Sequence, residues 1–121
     1  MSKYYIFGNG QFAELISHIL FDEHKIKKEK LFFVVNKYIN KNDHILEKDF
    51  LKIKNKNLKV FIGIGDIKKR QEIIKKLSNK NYKFPNLISK SSKIMKKCEF
   101  GKGNIILPSS TILSPSVFQD F

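Results

Sequence analysis

Apolar residues in the first part of the chain follow two alternating patterns. Continuous apolar runs at Tyr4–Phe7, Leu31–Val35 and 60–65 are typical of strands that are covered on both faces. Apolar residues three or four positions apart predict helices over 12–20 and from residue 67 to 77, with a shorter helix over 45–53. Strands separated by helices predict a parallel sheet with right-handed crossovers.

The pattern changes at residue 88, where a bulky residue recurs every sixth position. A small or compact residue follows four positions after each of the first five. A left-handed parallel β-helix requires this double register, because each six-residue side of its coil points one bulky side chain inward. The bulky series is Ile88, Ile94, Phe100, Ile106, Ile112 and Phe118, the compact series is Ser92, Cys98, Asn104, Ser110 and Ser116, and Gly101, Gly103, Pro108 and Pro115 lie between them as corner residues.

These two patterns predict an α/β domain over 1–87 and the first coils of a β-helix over 88–121. The second segment has 34 residues, fewer than two coils at about 18 residues each, so the predicted β-helix is truncated. The alternative for this segment is a set of short antiparallel strands whose spacing is coincidental.

Composition and charge change this picture little. The chain has 121 residues, of which 41% are hydrophobic, and a net charge of +13, so it can bury a core. Arg70 is the only arginine among 24 basic residues. Because base readout and bidentate phosphate contacts favour arginine, we predict a solvated lysine surface and no nucleic-acid partner. A basic surface would still help to collect an anionic small substrate.

The sequence also bears on the cellular location. The longest apolar runs are about five residues, far below the roughly 20 that span a bilayer. The first seven residues lead directly into Gly8 and leave no room for a secretory signal. Cys98 is the single cysteine, which excludes an internal disulfide framework. We therefore predict a cytoplasmic protein without a membrane partner.

The first strand is followed by a glycine-rich turn, Gly8-Asn9-Gly10-Gln11-Phe12-Ala13, which fits G-x-G-x-x-[GA] between a strand and a helix. The first glycine permits a tight turn, and the second lets a phosphate approach the backbone at the helix N-terminus. The motif predicts a phosphate or pyrophosphate site. The alternative is a turn that binds nothing.

The other strand ends supply further candidates. A dinucleotide fold normally carries an acidic residue after its second strand, but here Asn36 and Lys37 follow it. Gly65 and Asp66 end the third strand, and Arg70 lies one helical turn further on. Asp66 is equally well explained as a helix cap, Arg70 as a surface residue and Asn36 as a turn residue.

Three segments in this order resemble the sialic acid O-acetyltransferase (NeuD) family, which includes the PglD-type N-acetyltransferases of UDP-4-amino-sugars. They are the glycine turn within 6–14, the segment 61–66 with Arg70, and 84–88 leading into the hexapeptide repeats. The resemblance extends over nearly the whole chain. It implies an α/β fold with a small Rossmann-like parallel sheet, followed by a truncated left-handed β-helix.

The resemblance also implies ligands and partners. The N-terminal domain of the family holds a nucleotide-activated sugar, and its β-helix binds the co-substrate acetyl-CoA between subunits of a homotrimer. Carried over by motif, the substrate-binding residues are Gly8, Asn9, Gly10, Gln11, Phe12, Asn36, Lys37, Gly65, Asp66 and Arg70. Asn36 departs from the acidic residues often found at that position.

No residue in 88–121 resembles the catalytic histidine of the family, and His18, His24 and His44 are interpreted as structural or surface residues. We predict no catalytic residue and no metal site. The chain is thus expected to be the substrate-binding part of an acetyl-CoA-dependent sugar O- or N-acetyltransferase of surface-glycan biosynthesis, inactive alone. The alternative is a noncatalytic sugar-nucleotide-binding or docking module. A nicotinamide-dependent oxidoreductase is a weaker reading, because a ribose-binding carboxylate and a catalytic domain are lacking.

Overall fold

A computed structural model describes residues 3–54, 58–78, 80–94, 98–112 and 117–121. The chain divides into two compact units, Met1–Lys83 and Phe84–Phe121. The sequence pattern placed the division after residue 87, and the assignment of these units as separate domains stays a prediction.

The first unit is built on a four-stranded parallel sheet. Its strands are β1 (Tyr4–Phe7), β2 (Leu31–Val35), β3 (His44–Leu46) and β4 (Lys59–Ile62), in the order β3-β2-β1-β4. Every neighbouring pair is parallel. The predicted parallel α/β sheet is confirmed. In this sheet β1 lies between β2 and β4, so the chain leaves β1 toward one side and returns later on the other.

The helices lie between the strands. α1 (Gln11–His18) continues into a π-helical turn at Ile19–Glu23, and a 3₁₀ turn at Lys28–Lys30 precedes β2. α2 (Glu47–Phe50) follows β3, and α3 (Ile67–Leu77) follows β4. The predicted strand over 60–65 ends earlier, at Ile62, so that Gly63 and the residues after it form the turn into α3.

The prediction of a single helix over 45–53 was wrong at its start. His44–Leu46 forms β3 instead, with Phe33 opposite His44 and Val35 opposite Leu46. A strand of three residues is too short to show an apolar period, so nothing in the local pattern distinguished it from the first turn of α2.

The core of this unit covers both faces of β1. Tyr5 and Phe7 point to one face, where their rings lie 5.0 Å and 5.2 Å from that of the fully buried Phe50. Ile6 points to the opposite face, where Ile6 and Ala13 of α1 both approach Gly63. Burial also raises the pKa of the Tyr5 hydroxyl above its usual value.

In the second unit, the described residues form six two-residue strands in three parallel pairs. β5 (Leu87–Ile88) pairs with β8 (Ile105–Ile106), β6 (Lys93–Ile94) with β9 (Thr111–Ile112), and β7 (Glu99–Phe100) with β10 (Val117–Phe118). Because the pairs are parallel and partners lie 18 residues apart, the antiparallel alternative is wrong for these strands.

Residues 15 to 18 positions apart contact each other in this unit. The rings of Phe100 and Phe118 stack at 4.9 Å. The backbone N–H of buried Asn104 donates to Asn86 Oδ1 at 2.7 Å, and the side-chain amide of Asn104 donates to the carbonyl of Gln119 at 2.9 Å. Ser116 and Pro115 of the sequence pattern lie outside the described residues.

Among the helices that the structure describes, none is long and apolar enough to cross a bilayer.

Candidate functional site

A cavity of about 470 Å³ lies at the carboxyl edge of the parallel sheet. It is lined by the residues that follow β1, β2 and β4, together with residues of α2 and α3. The chain crosses from β1 to β2 in one direction and reaches β4 on the other side of β1. This is the topological switch point, where open α/β sheets bind their ligands.

Gly8 turns the chain at the end of β1. Its φ of +103° lies in a region that residues with a Cβ rarely adopt. Its N–H donates to the carbonyl of Val34 at 2.9 Å, and a Cβ at this position would lie 2.8 Å from the carbonyl oxygen of Gly63. Both the conformation and the contact therefore require glycine.

Gly10 is the N-cap of α1 and meets a different requirement. Its φ is −83°, and a Cβ built on it would have no atom of the described residues within 4 Å. Glycine has no side chain to cap the first-turn amides, and Gly10, Gln11 and Phe12 line the cavity, so the partial positive charge of the helix N-terminus lies at its wall. The arrangement suits a phosphate-sized anion.

Ala13 occupies the last motif position and is fully buried. A Cβ on Gly63 would come within 3.0 Å of the Cα and Cβ of Ala13. The small residues therefore let α1 lie directly against the end of β4, which brings the two edges of the cavity together.

The first turn of α3 forms the opposite edge. The Asp66 carboxylate accepts the Lys69 N–H at 3.0 Å, which makes Asp66 the N-cap of α3 as well as a cavity residue. Arg70 turns toward the sheet instead, and its guanidinium donates to the carbonyl of Ile62 at 2.5 Å. Partial burial lowers the pKa of Arg70. The cationic side chain at this edge of the cavity is Lys69.

The ends of β2 and β3 form the remaining wall. Asn36, directly after β2, is exposed and lines the cavity, whereas exposed Lys37 does not. Glu47, directly after β3, also lines it, and its Oε2 accepts a hydrogen bond from Lys76 Nζ at 2.8 Å. A carboxylate is thus present at this edge, one strand further out than the acidic residue expected after β2.

The structure brings together eight of the ten predicted residues: Gly8, Asn9, Gly10, Gln11, Phe12, Asn36, Gly65 and Asp66. It does not bring Lys37 or Arg70 to the cavity, and their role in binding stays a prediction. Sequence reasoning missed Val34, Val35, Glu47, Gly63, Ile64, Lys69 and Ile73. A strand signal at 44–46 would have placed Glu47 at the carboxyl edge.

None of the three histidines lines this cavity. His18 and His24 are exposed. The ring of His44 packs 5.1 Å from that of Phe33, and its Nδ1 lies 2.7 Å from an Asp43 carboxylate oxygen. Within the ranges that the structure describes, no three histidine, cysteine or acidic side chains are grouped closely enough to hold a metal ion.

The fold and the cavity define a Rossmann-like α/β domain with a glycine turn at the switch point. Residues 3–77 match the model of the PglD N-terminal domain family. The chain therefore belongs to that family. Comparison with curated proteins gives no match.

Several solved structures share this fold. The acetyltransferase domain of PglB from Neisseria gonorrhoeae, in complex with acetyl coenzyme A, matches with a TM-score of 0.83 at 16% identity, over 98% of this chain and 58% of that chain. PerB from Caulobacter crescentus, in complex with CoA and GDP-perosamine, matches with 0.80 at 18%, over 98% and 57%. WeeI from Acinetobacter baumannii matches with 0.78 at 14%, over 100% and 62%.

These identities show a common fold and no more. The chain spans about three fifths of the length of each of these structures.

Proposed function

We propose that this cavity binds the diphosphate of a nucleotide-activated sugar, and that the chain is the N-terminal substrate-binding part of an acetyl-CoA-dependent sugar O- or N-acetyltransferase of surface-glycan biosynthesis. The observation that carries the proposal is the N-terminus of α1, which opens on the switch-point cavity with Gly10 as its cap. Family membership supports the same substrate class, as do the PglB structure with acetyl coenzyme A and the PerB structure with GDP-perosamine.

Each part of the cavity has a separate task in this proposal. The amides at the start of α1 hold a phosphate, and Lys69 adds a positive charge from the opposite edge. Asn36 is placed to hydrogen-bond the ribose or sugar hydroxyls. Val35 and Ile73 provide apolar surface for the flat face of the base.

In this proposal the acyl-transfer step does not take place in the cavity at the sheet edge. Transfer of an acetyl group to an amine or hydroxyl needs a general base, and none of the three histidines lines the cavity. We therefore expect the purified chain to bind nucleotide sugars without consuming acetyl-CoA. Consumption of acetyl-CoA is expected of the complete enzyme.

The second unit fits the beginning of a left-handed β-helix. The 18-residue spacing of its parallel pairs supports three six-residue sides per coil. In the complete enzyme this β-helix would carry the acetyl-CoA site and the homotrimer contacts, and the protein would work in the cytoplasm, where nucleotide sugars are made.

Isothermal titration calorimetry with UDP, GDP and NAD tests the proposal. Binding of a nucleoside diphosphate is expected. Gly10→Ala adds a methyl group where the phosphate approaches and should weaken that binding about tenfold. Gln71→Ala, at an exposed position of α3 that does not line the cavity, is the control and should bind normally. Binding of NAD alone, or of none of the three, would overturn the proposal.

A further inference from the structure

We propose that Glu47 is a specificity-determining residue for the nucleobase and makes the site prefer a guanine nucleotide to a uracil nucleotide. This inference rests on the proposed function, since it assigns the base of the nucleotide that the cavity holds. Three observations carry it: the position of Glu47 along the sheet edge, its fixed carboxylate, and the hydrogen-bonding character of that group.

The first observation is the order of the strand ends. Neighbouring strands lie about 4.8 Å apart. The distance from β1 is therefore about 4.8 Å for β2 and about 10 Å for β3. The glycine turn follows β1, Asn36 follows β2 and Glu47 follows β3. In a nucleotide the ribose follows the phosphate and the base follows the ribose. A phosphate at the glycine turn thus places the ribose beside Asn36 and the base edge beside Glu47.

The second observation is that the carboxylate of Glu47 is held in place. Its side chain is only 22% exposed, and Lys76 Nζ of α3 donates to its Oε2 at 2.8 Å. Lys76 itself does not line the cavity. Within the described part of the chain, Lys76 is the only side chain that bonds to this carboxylate. The group is therefore oriented by its partner while it keeps acceptor capacity toward the ligand.

The third observation is chemical. An ionised carboxylate only accepts hydrogen bonds. Guanine presents its N1–H and 2-amino group side by side, which matches the two oxygens of one carboxylate. Uracil presents a single N3–H between two carbonyl oxygens, which a carboxylate repels. A bound base would shield the half-buried carboxylate from water, and an acceptor shielded in this way without a donor is costly, so the site should discriminate between these bases.

The test measures the affinities of GDP, IDP and UDP by calorimetry on the full chain and on Glu47→Gln. Inosine lacks the 2-amino group, so IDP removes one of the two donors. The full chain should bind GDP at least about tenfold tighter than UDP, with IDP weaker than GDP. Glu47→Gln should lower the GDP affinity about tenfold, because one acceptor is lost, and should raise the UDP affinity, because the repulsion of the uracil carbonyl oxygens is removed.

Glu72→Gln, an exposed acid of α3 that does not line the cavity, is the matched control and should change none of these affinities. Thermal melting confirms that both variants fold. Equal affinity for GDP and UDP, a preference for UDP, or an unchanged GDP to UDP ratio in Glu47→Gln would overturn this inference and leave the proposed function standing. Failure of all nucleotides to bind would instead overturn the proposed function.

Discussion

Three glycines around the cavity are required for three different physical reasons. Gly8 adopts a positive φ and touches the Gly63 carbonyl, Gly63 has no space for a Cβ beside Ile6 and Ala13, and Gly10 has open space on all sides. The first two serve the fold, whereas the third leaves the backbone accessible to a ligand. Substitutions at these positions should therefore separate stability from binding.

Gly8→Ala should destabilise the protein by about 1–3 kcal/mol, because alanine must adopt a strained φ and its methyl group meets the Gly63 carbonyl. Urea unfolding followed by circular dichroism measures the change. Gly65→Ala is the control, since its φ is not in the left-handed region and no described atom lies within 4 Å of the new methyl group. Equal stability of the two variants would contradict the requirement at Gly8.

The neighbours Lys69 and Arg70 show that residue type alone does not predict which side chain lines the cavity. Arginine is the stronger phosphate-binding type, so Arg70 was a candidate from the sequence, with a surface residue as the alternative. In the structure Arg70 turns to the carbonyl of Ile62, and Lys69 lines the cavity. Consecutive helix residues point about 100° apart. The angle at which α3 lies on the sheet decides which of these two side chains faces the cavity.

At the scale of elements, the short α2 is anchored by one aromatic residue. Phe50 is fully buried and contacts Tyr5 and Phe7 of β1 as well as Tyr82, whose ring lies 5.1 Å away. A helix of four residues has little stability of its own. Its position, and with it the position of Glu47, depends on this packing.

Phe50→Ala should lower the free energy of unfolding by about 3–5 kcal/mol, because it removes a buried ring at the centre of an aromatic cluster. Phe21→Ala removes a ring that is 42% exposed and should cost less than about 1 kcal/mol. Chemical denaturation of both variants tests the difference. A loss at Phe50 as small as that at Phe21 would show that α2 does not depend on this ring.

Some helices and strands could be predicted from the sequence pattern, and others could not. Continuous apolar runs predicted β1, β2 and β4, and helical spacing predicted α1 and α3. β3 was missed because its three residues form a strand only by pairing with β2. Short elements with few local interactions take their structure from their neighbours, which a local pattern does not contain.

At the scale of the whole molecule, the two units differ in how they are built. Met1–Lys83 has a central sheet with helices and a buried aromatic core, whereas the strands described in Phe84–Phe121 are two residues long and form pairs. The proposed binding residues all lie in the first unit.

We therefore expect a fragment of residues 1–83 to fold and to bind nucleoside diphosphates within about threefold of the full chain, whereas residues 84–121 alone, at fewer than about 40 residues, should not fold. Circular dichroism melting and calorimetry of the two fragments test this. An unfolded first fragment, or a folded one that has lost binding, would show that the first unit depends on the second.

Some properties of this protein follow from the sequence alone. The apolar runs and the glycine turn specify a parallel sheet with a helix N-terminus after β1, and the six-residue period specifies strand pairs 18 residues apart, because both depend on which residue types occupy regularly spaced positions. Only the tertiary structure decided that Lys69 rather than Arg70 faces the cavity and that Glu47 joins its wall. Those outcomes depend on how separate elements pack against each other, and that packing arises from contacts between residues far apart in the chain.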